Sequence, residues 1–293
     1  MKPAVKLECP QLFKKFPTGL LGRQLARYIL HAGQQALADG FKPINIAVVV
    51  RTKNDRPDLL KIIENIKSER RYYPARIDLV VVDTESTDGT LELAGQAGAT
   101  IVRMKQDGFD YPKSINLGLK AVKKDVVAVF ITVGHARPAL NICFGASARH
   151  FADPEVVGVY SDNLPNANAS FWERIFYYLA APIFIRMRAG AHKIKKVRLG
   201  AMQGTSCAVR VSTWQKHPFD ENFAHGGEDL EWARQAFSRG ETMVFDPVLT
   251  VHHSHGLNLV NFLKQVRYWQ NVARQPGEFQ QKQLANYRPD LFD

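Results

Sequence analysis

From Ile44 onward the chain alternates short apolar runs with segments whose apolar residues recur every three or four positions. Ile44–Val50 is a β-rich run, and Arg56–Glu69 carries Leu59, Leu60, Ile62, Ile63 and Ile66 at helical spacing. The unit then repeats. A strand from Ile77 ends at Asp83, a helix covers Thr90–Gln96, a strand Thr100–Met104, a helix Lys113–Val122 and a strand Val126–Thr132. A helix over Ala139–Phe151, a strand over Val156–Tyr160 and another over Gly204–Arg210 follow. Repeated strand–helix units with short connections predict an α/β fold, a doubly wound and mostly parallel sheet with helices on both faces. The flanks differ. Leu21, Leu25, Ile29, Ala32 and Ala36 recur at helical spacing before this region, as do Val260, Leu263, Val266 and Trp269 after it. The expected division is a helical extension over 1–43, a main domain over 44–255, and a helix with a polar tail over 256–293. The first helix either packs on the main domain or lies against a membrane surface.

The stretch IDLVVVDTESTDGT, Ile77–Thr90, organises the rest. Its five apolar residues, Ile77 and Leu79 to Val82, end abruptly at Asp83 and read as a strand buried on both faces. Asp83 then stands at the carboxyl edge of a central strand, where open α/β sheets bind ligands. Ser86, Thr87 and Asp88 serve either as caps and turn formers or as part of that site.

The chain has 293 residues, 45% of them hydrophobic, enough for one large domain or two small ones. Cys9, Cys143 and Cys207 are odd in number and far apart, which suggests reduced thiols, not a disulfide framework. Met1–Lys15 mixes lysines, prolines and an acid, unlike a secretion signal. No stretch reaches the roughly 20 apolar residues of a spanning helix. A cytoplasmic setting is expected. The net charge of +11 favours an anionic partner without choosing among nucleotide phosphates, nucleic acid and anionic lipid. Neither GxGxxG nor GxxxxGK[ST] is present, which weighs against dinucleotide-binding and phosphate-loop folds. The interleaved aromatic and basic pattern of single-strand binders is missing too, so nucleic acid is not an expected partner.

Five motifs in register, IAVVVRTKND, VVVDTESTDGT, YPKSINLGLKAV, VFITVGHARP and FDENFAHGGEDLEWARQAFSRG, resemble the family 2 glycosyltransferases of the GT-A fold over about Ile44–His255. The resemblance implies an inverting transfer of a sugar from a nucleotide-diphospho-sugar to an acceptor hydroxyl. It implies nucleotide contacts for Thr52, Asn54, Asp83, Glu85, Lys113 and Asn116. Asp83 as a carboxylate can accept charge-assisted hydrogen bonds from a base edge or ribose. Lys113 replaces a usual arginine, keeping the charge and losing the planar fork.

The family usually carries Asp-X-Asp after the fourth strand to hold a divalent cation, Mn or Mg, on the diphosphate. Here Val133, Gly134 and His135 stand instead. Three readings of His135 stay open: metal ligand, hydrogen-bond donor to the phosphates, or partner of a local backbone group. Imidazole suits manganese, zinc or iron better than magnesium. Arg137 adds positive charge beside it.

The chain has no acidic residue between Glu173 and Asp220. This stretch contains FYYLAAPIFIRMRAG and then His192, Lys193, Lys195, Lys196 and Arg198, which suits either anionic lipid or a basic loop over a diphosphate. Further on, Gly226 and Gly227 lead into Glu228 and Asp229 at a helix amino terminus, where the dipole favours the ionised form. An attacking hydroxyl needs a carboxylate within reach. By resemblance Asp229 is that base, Glu228 orients the acceptor, and Gly226–Gly227 let the backbone approach it. In the run HHSH, alternation puts His253 and His255 on one side and His252 on the other. By resemblance, one of these histidines completes the metal shell or touches the diphosphate. A dedicated zinc site is not expected, since no cysteine or acid pair has ligand spacing with them.

The resemblance thus implies an enzyme of bacterial polysaccharide synthesis, acting on a glycan or lipid-linked acceptor at the inner face of the membrane. The alternative is a catalytically inactive relative that binds nucleotide or glycan, or serves in assembly.

Overall fold

The computed structural model describes residues 5–7, 20–166, 169–179, 190–198, 200–223 and 226–274. Residues 180–189 of the long apolar stretch, Cys9 and the polar tail from Pro276 lie outside them.

Four strands build one half of the sheet. β1 (Ile46–Thr52), β2 (Ile77–Thr84), β3 (Thr100–Met104) and β4 (Ala128–Val133) run parallel in the order β3-β2-β1-β4. All seven residues of β1 are buried, as its unbroken apolar pattern predicts for a strand covered on both faces. The connecting helices are α2 (Arg56–Glu69), α3 (Thr90–Gln96) and α4 (Tyr111–Lys120), following α1 (Leu20–Asp39). α4 starts two residues earlier than the apolar pattern suggests. Asp110 caps it by accepting from the Lys113 N–H at 2.9 Å, and Pro112 occupies its first turn. Gly118 in α4 has no room for a β-carbon, which would strike the Val49 side chain and come within 3.0 Å of Val82. The helix therefore sits directly on β1 and β2.

The expected helix over Ala139–Phe151 is broken. β5 (Arg137–Pro138) is followed by an irregular segment, with the Ala139 N–H tied to Thr250 O at 2.9 Å. A short α5 (Cys143–Ser147) and a 3-10 turn (Ala148–Ala152) come after. The Glu69 carboxylate on α2 accepts from the N–H groups of Phe144 and Gly145 at 3.1 and 2.6 Å, which sets where α5 can begin.

The second half is mixed. β6 (Val156–Tyr160), β7 (Asn163–Leu164), α6 (Phe171–Leu179), β8 (His192–Lys193) and β9 (Cys207–Arg210) continue the chain. Then come α7 (Val211–Lys216), α8 (Glu228–Ser238), β10 (Thr242–Phe245), β11 (Val251–His252) and α9 (Leu259–Arg274). β9 runs antiparallel between β4 and β6, and β10 pairs parallel with β6. Among the described residues the sheet has eight strands in the order β3-β2-β1-β4-β9-β6-β10-β8, beside a small sheet β5-β11-β7.

Leu25, Ala26, Ile29, Ala32 and Ala36 of α1 are buried in the same core as the sheet. That stripe is consumed by packing and not offered to a membrane. Among the described residues, no helix is long and apolar enough to cross a membrane.

Candidate active site

The carboxyl ends of β1, β2 and β4 converge, and the polar residues that end each apolar run meet there. Asp83 is 1% exposed. Its Oδ2 accepts from the Ser86 N–H at 3.1 Å, while its Oδ1 is buried with no donor among the described residues. A buried carboxylate oxygen without a donor is costly, and a ligand that donates to it recovers that cost. Asn54 and Glu85 beside it adopt left-handed backbone, φ 55° and 54°, rare for residues with a side chain. Asn54 locks the first two loops together: its N–H donates to Ser86 Oγ and its Oδ1 accepts from Thr87 N–H, both at 2.8 Å. Glu85 accepts from Gln106 N–H at 3.1 Å, tying in the end of β3.

Past β4 lies a cluster of imidazoles. His135, His253 and His255 each present a ligand atom, all within 4.8 Å of one another. Nε2 of His135 is 3.1 Å from Nε2 of His253, and their rings stack at 4.9 Å. Nδ1 of His135 lies 3.2 Å from Oδ1 of Asp55, whose other oxygen accepts from Thr52 Oγ1 at 3.0 Å. Gly134 makes this possible. A β-carbon there would strike the Asp55 carboxylate and approach Thr52 Oγ1 to 2.5 Å. His253 is anchored by its N–H to Leu164 O at 2.7 Å, His255 by its N–H to Glu173 at 3.0 Å. Burial and the neighbouring imidazoles of His255 and His135 hold the His253 pKa well below its ordinary value. His252 faces the other way, as alternation predicts. It is buried, with Nδ1 toward Pro165 O at 3.1 Å, and burial lowers its pKa to about 4. A neutral imidazole is the form that ligates a metal, and one of the three is oriented from behind by a carboxylate. These residues therefore fit a divalent ion without the missing Asp-X-Asp carboxylate.

Across the edge stands the acid pair. Gly226 and Gly227 take φ of 118° and 92°, a turn that favours glycine, and deliver the chain into α8. Asp229 accepts from Leu230 N–H at 2.6 Å and from Gly204 N–H at 3.1 Å. Glu228 is 4% exposed, whereas Asp229 keeps partial exposure. Burial raises both carboxyls, the charge of Asp229 adds to the rise at Glu228, and Arg51 works against it at both. Burial thus opposes the charge that the helix start favours on Asp229, while the backbone donors and Arg51 support it.

Arg51, not singled out from the sequence, is buried at the end of β1. It lies under the Tyr111 ring at 5.6 Å and donates to Gly204 O at 3.1 Å. Asp55 is likewise not marked by the sequence pattern. The signal for Arg51 is the one that marks Asp83, a charge directly after an apolar run.

Two expected site residues, Asn116 and Arg137, have protein partners of their own. The Asn116 amide is buried and saturated, donating to Phe219 O at 2.8 Å and to Glu221 at 3.1 Å and accepting from Trp214 Nε1 at 2.9 Å. It braces α4 against the second half. Arg137 is bound to Asp58 on α2 through Nε at 2.6 Å and through its terminal nitrogen, so its charge is matched there. Lys113 is exposed on the first turn of α4.

Residues 47–130 match the family model for glycosyl transferase family 2. Among solved structures, the chain resembles a mannosyltransferase from Pyrobaculum calidifontis, solved with GDP-Man and Mn2+. The TM-score is 0.56 at 17% identity, over 84% of this chain and 70% of that one. It also resembles glucosyl-3-phosphoglycerate synthase from M. tuberculosis, with a TM-score of 0.52 and 16% identity, over 90% and 88% of the two chains. Mannosyl-3-phosphoglycerate synthase from Rubrobacter xylanophilus gives 0.52 and 17%, over 92% and 83%. No curated protein matches the sequence significantly. At these identities the likeness establishes the fold, which is GT-A.

Proposed function

We propose that this chain is an inverting glycosyltransferase that moves a sugar from a nucleotide-diphospho-sugar to the hydroxyl of a glycan or lipid-linked acceptor. The observation that carries the reading is the buried Oδ1 of Asp83, which has no donor among the described residues, at the carboxyl edge of a central GT-A strand. A base edge or ribose hydroxyl supplies the donor it lacks. The Asn54 and Glu85 loops fix the backbone beside it, and Lys113, exposed on the first turn of α4, supplies positive charge for phosphate in this reading.

Inversion in one displacement requires the acceptor oxygen to arrive opposite the departing nucleotide. Asp229, the more exposed of the acid pair, takes the proton of that hydroxyl as its bond to the anomeric carbon forms. Glu228 behind it, buried and raised in pKa, keeps its proton more readily and leaves the pair's charge to Asp229. In this reading the left-handed turn at Gly226 and Gly227 lets the backbone approach the acceptor sugar. His135, His253 and His255 would hold a divalent cation. When bound, such an ion offsets negative charge on the diphosphate.

Bacterial surface polysaccharide synthesis and a peripheral place on anionic membrane belong to the same proposal. The support is the exposed basic run Lys193, Lys195, Lys196 and Arg198, and exposed Leu259, Val260 and Leu263 on α9. The replacement of the first Asp-X-Asp carboxylate by Val133 supports one competing reading, a nucleotide-binding relative without transfer activity. Screening nucleotide sugars for hydrolysis and nucleoside diphosphates for thermal stabilisation separates them. The enzyme reading requires both signals. Stabilisation without turnover of any donor leaves the binding protein, and neither signal overturns both.

A further inference from the structure

The ion site differs in chemistry from a carboxylate-lined one. Among the described residues it offers three imidazoles and no carboxylate as donors. We propose that His135, His253 and His255 form a site for a zinc-class ion, one that takes Zn2+ or Co2+ far more tightly than Mn2+ and does not hold Mg2+, with Asp55 as its positioning carboxylate. That the ion serves sugar transfer rests on the reading above; that it binds stands on the residues themselves.

Spacing is the first argument. Two nitrogens bound to one zinc at about 2.0–2.1 Å in a tetrahedral arrangement lie roughly 3.3 Å apart. The Nε2 atoms of His135 and His253 are 3.1 Å apart, and the ligand atom of His255 is within 4.8 Å of both. Orientation is the second. With Nδ1 of His135 toward the Asp55 carboxylate at 3.2 Å, its proton resides on that nitrogen and the Nε2 lone pair is left for a metal. Asp55 is itself fixed by Thr52 Oγ1 at 3.0 Å and by Lys53 N–H at 3.3 Å. Each ligand is held from a different part of the fold: His135 by Asp55, His253 by Leu164 and His255 by Glu173.

Donor type decides the ion. Magnesium demands an octahedral shell of oxygens and parts reluctantly with water, so three neutral nitrogens offer it little. Manganese binds nitrogen ligands more weakly than the later metals do, whereas zinc is satisfied by three protein ligands and one open position. The sequence pointed away from a dedicated zinc site because no ligand pair has the spacing. Here the ligands come from two chain segments 118 residues apart and are joined only by the fold.

The test uses the full chain stripped with chelator and dialysed. Calorimetric titration with Zn2+, Mn2+ and Mg2+ is expected to give one zinc equivalent bound at least 100-fold more tightly than manganese, and no magnesium binding. Co2+ should give the intense visible bands of a four-coordinate ion. His253→Ala should abolish the tight site, with His255→Gln as a second variant should the first fail to fold. Asp55→Asn should weaken binding about 10–100-fold. Manganese binding as tight as zinc, no stoichiometric site, or zinc binding unchanged in both histidine variants would overturn the proposal. Thermal stabilisation by UDP or GDP is measured alongside. Nucleotide binding without a zinc site removes this inference and keeps the transferase; a zinc site without nucleotide binding does the reverse.

Discussion

Replacing Asp229 by asparagine separates its structural from its chemical role. The carboxylate accepts two backbone N–H groups, from Leu230 at 2.6 Å and Gly204 at 3.1 Å. The amide keeps one carbonyl oxygen and turns an NH2 toward the other donor, leaving one N–H without an acceptor. Such a loss costs about 1–3 kcal/mol. No longer burying the Asp229 charge offsets part of it, so the fold survives. Loss of the base costs far more. A positioned general base contributes roughly 10²–10⁴ in rate, equivalent to about 2.7–5.4 kcal/mol of barrier at 1.36 kcal/mol per decade. The assay is the rate of sugar transfer at saturating donor, paired with calorimetric binding of the nucleoside diphosphate. The expected result is a rate lower by that factor with nucleotide affinity nearly intact. The pH profile adds a check. The base works ionised and burial raises its pKa, so the parental rate falls as pH drops through that raised value. In the asparagine variant this limb should vanish. A variant that transfers at the parental rate refutes the assignment, and Glu228 becomes the next candidate.

Asp83→Ala should weaken nucleotide binding by about 1.5–3 kcal/mol, the usual loss for a hydrogen bond to a charged group, and unchanged affinity by calorimetry would remove the argument from its donorless oxygen. Glu69 gives a pH prediction for stability. Burial raises its carboxyl from 4.5 to about 8, so the folded protein keeps a proton the unfolded chain releases, and stability falls as pH rises through that window. Glu69→Gln should flatten the melting temperature between those pH values; an unchanged slope sinks the account. Gly134→Ala should displace Asp55 and Thr52 and weaken ion binding at His135, while retained affinity would show that the loop gives way freely. Neutralising Lys193, Lys195, Lys196 and Arg198 should cost about 1 kcal/mol of anionic-vesicle binding per charge, less for Lys193, which is paired with Asp153 at 3.3 Å. Equal flotation of variant and parent would leave this run no lipid role.

The alternation of apolar runs and helical spacing by itself determined the strands β1, β2, β3 and β6 and the helices α2 and α3, because periodicity records which faces are buried. It also marked Asp83, since a charge directly after the apolar run Leu79–Val82 has few other places to stand. Direction and partnership were beyond it. An apolar run carries no sign of strand polarity, so nothing local revealed that β9 would run antiparallel between β4 and β6. The helix expected over Ala139–Phe151 begins late because a carboxylate 75 residues earlier in the chain accepts from its first N–H groups. Arg137 and Asn116 resembled ligand contacts until Asp58 and the Trp214–Phe219 region claimed them. His135 had three open readings on paper. Only the pairing of β5 with β11, which sets Arg137 opposite His252, brought it between Asp55 and His253. Hydrogen-bond partners follow distance in space, and local composition does not encode that distance.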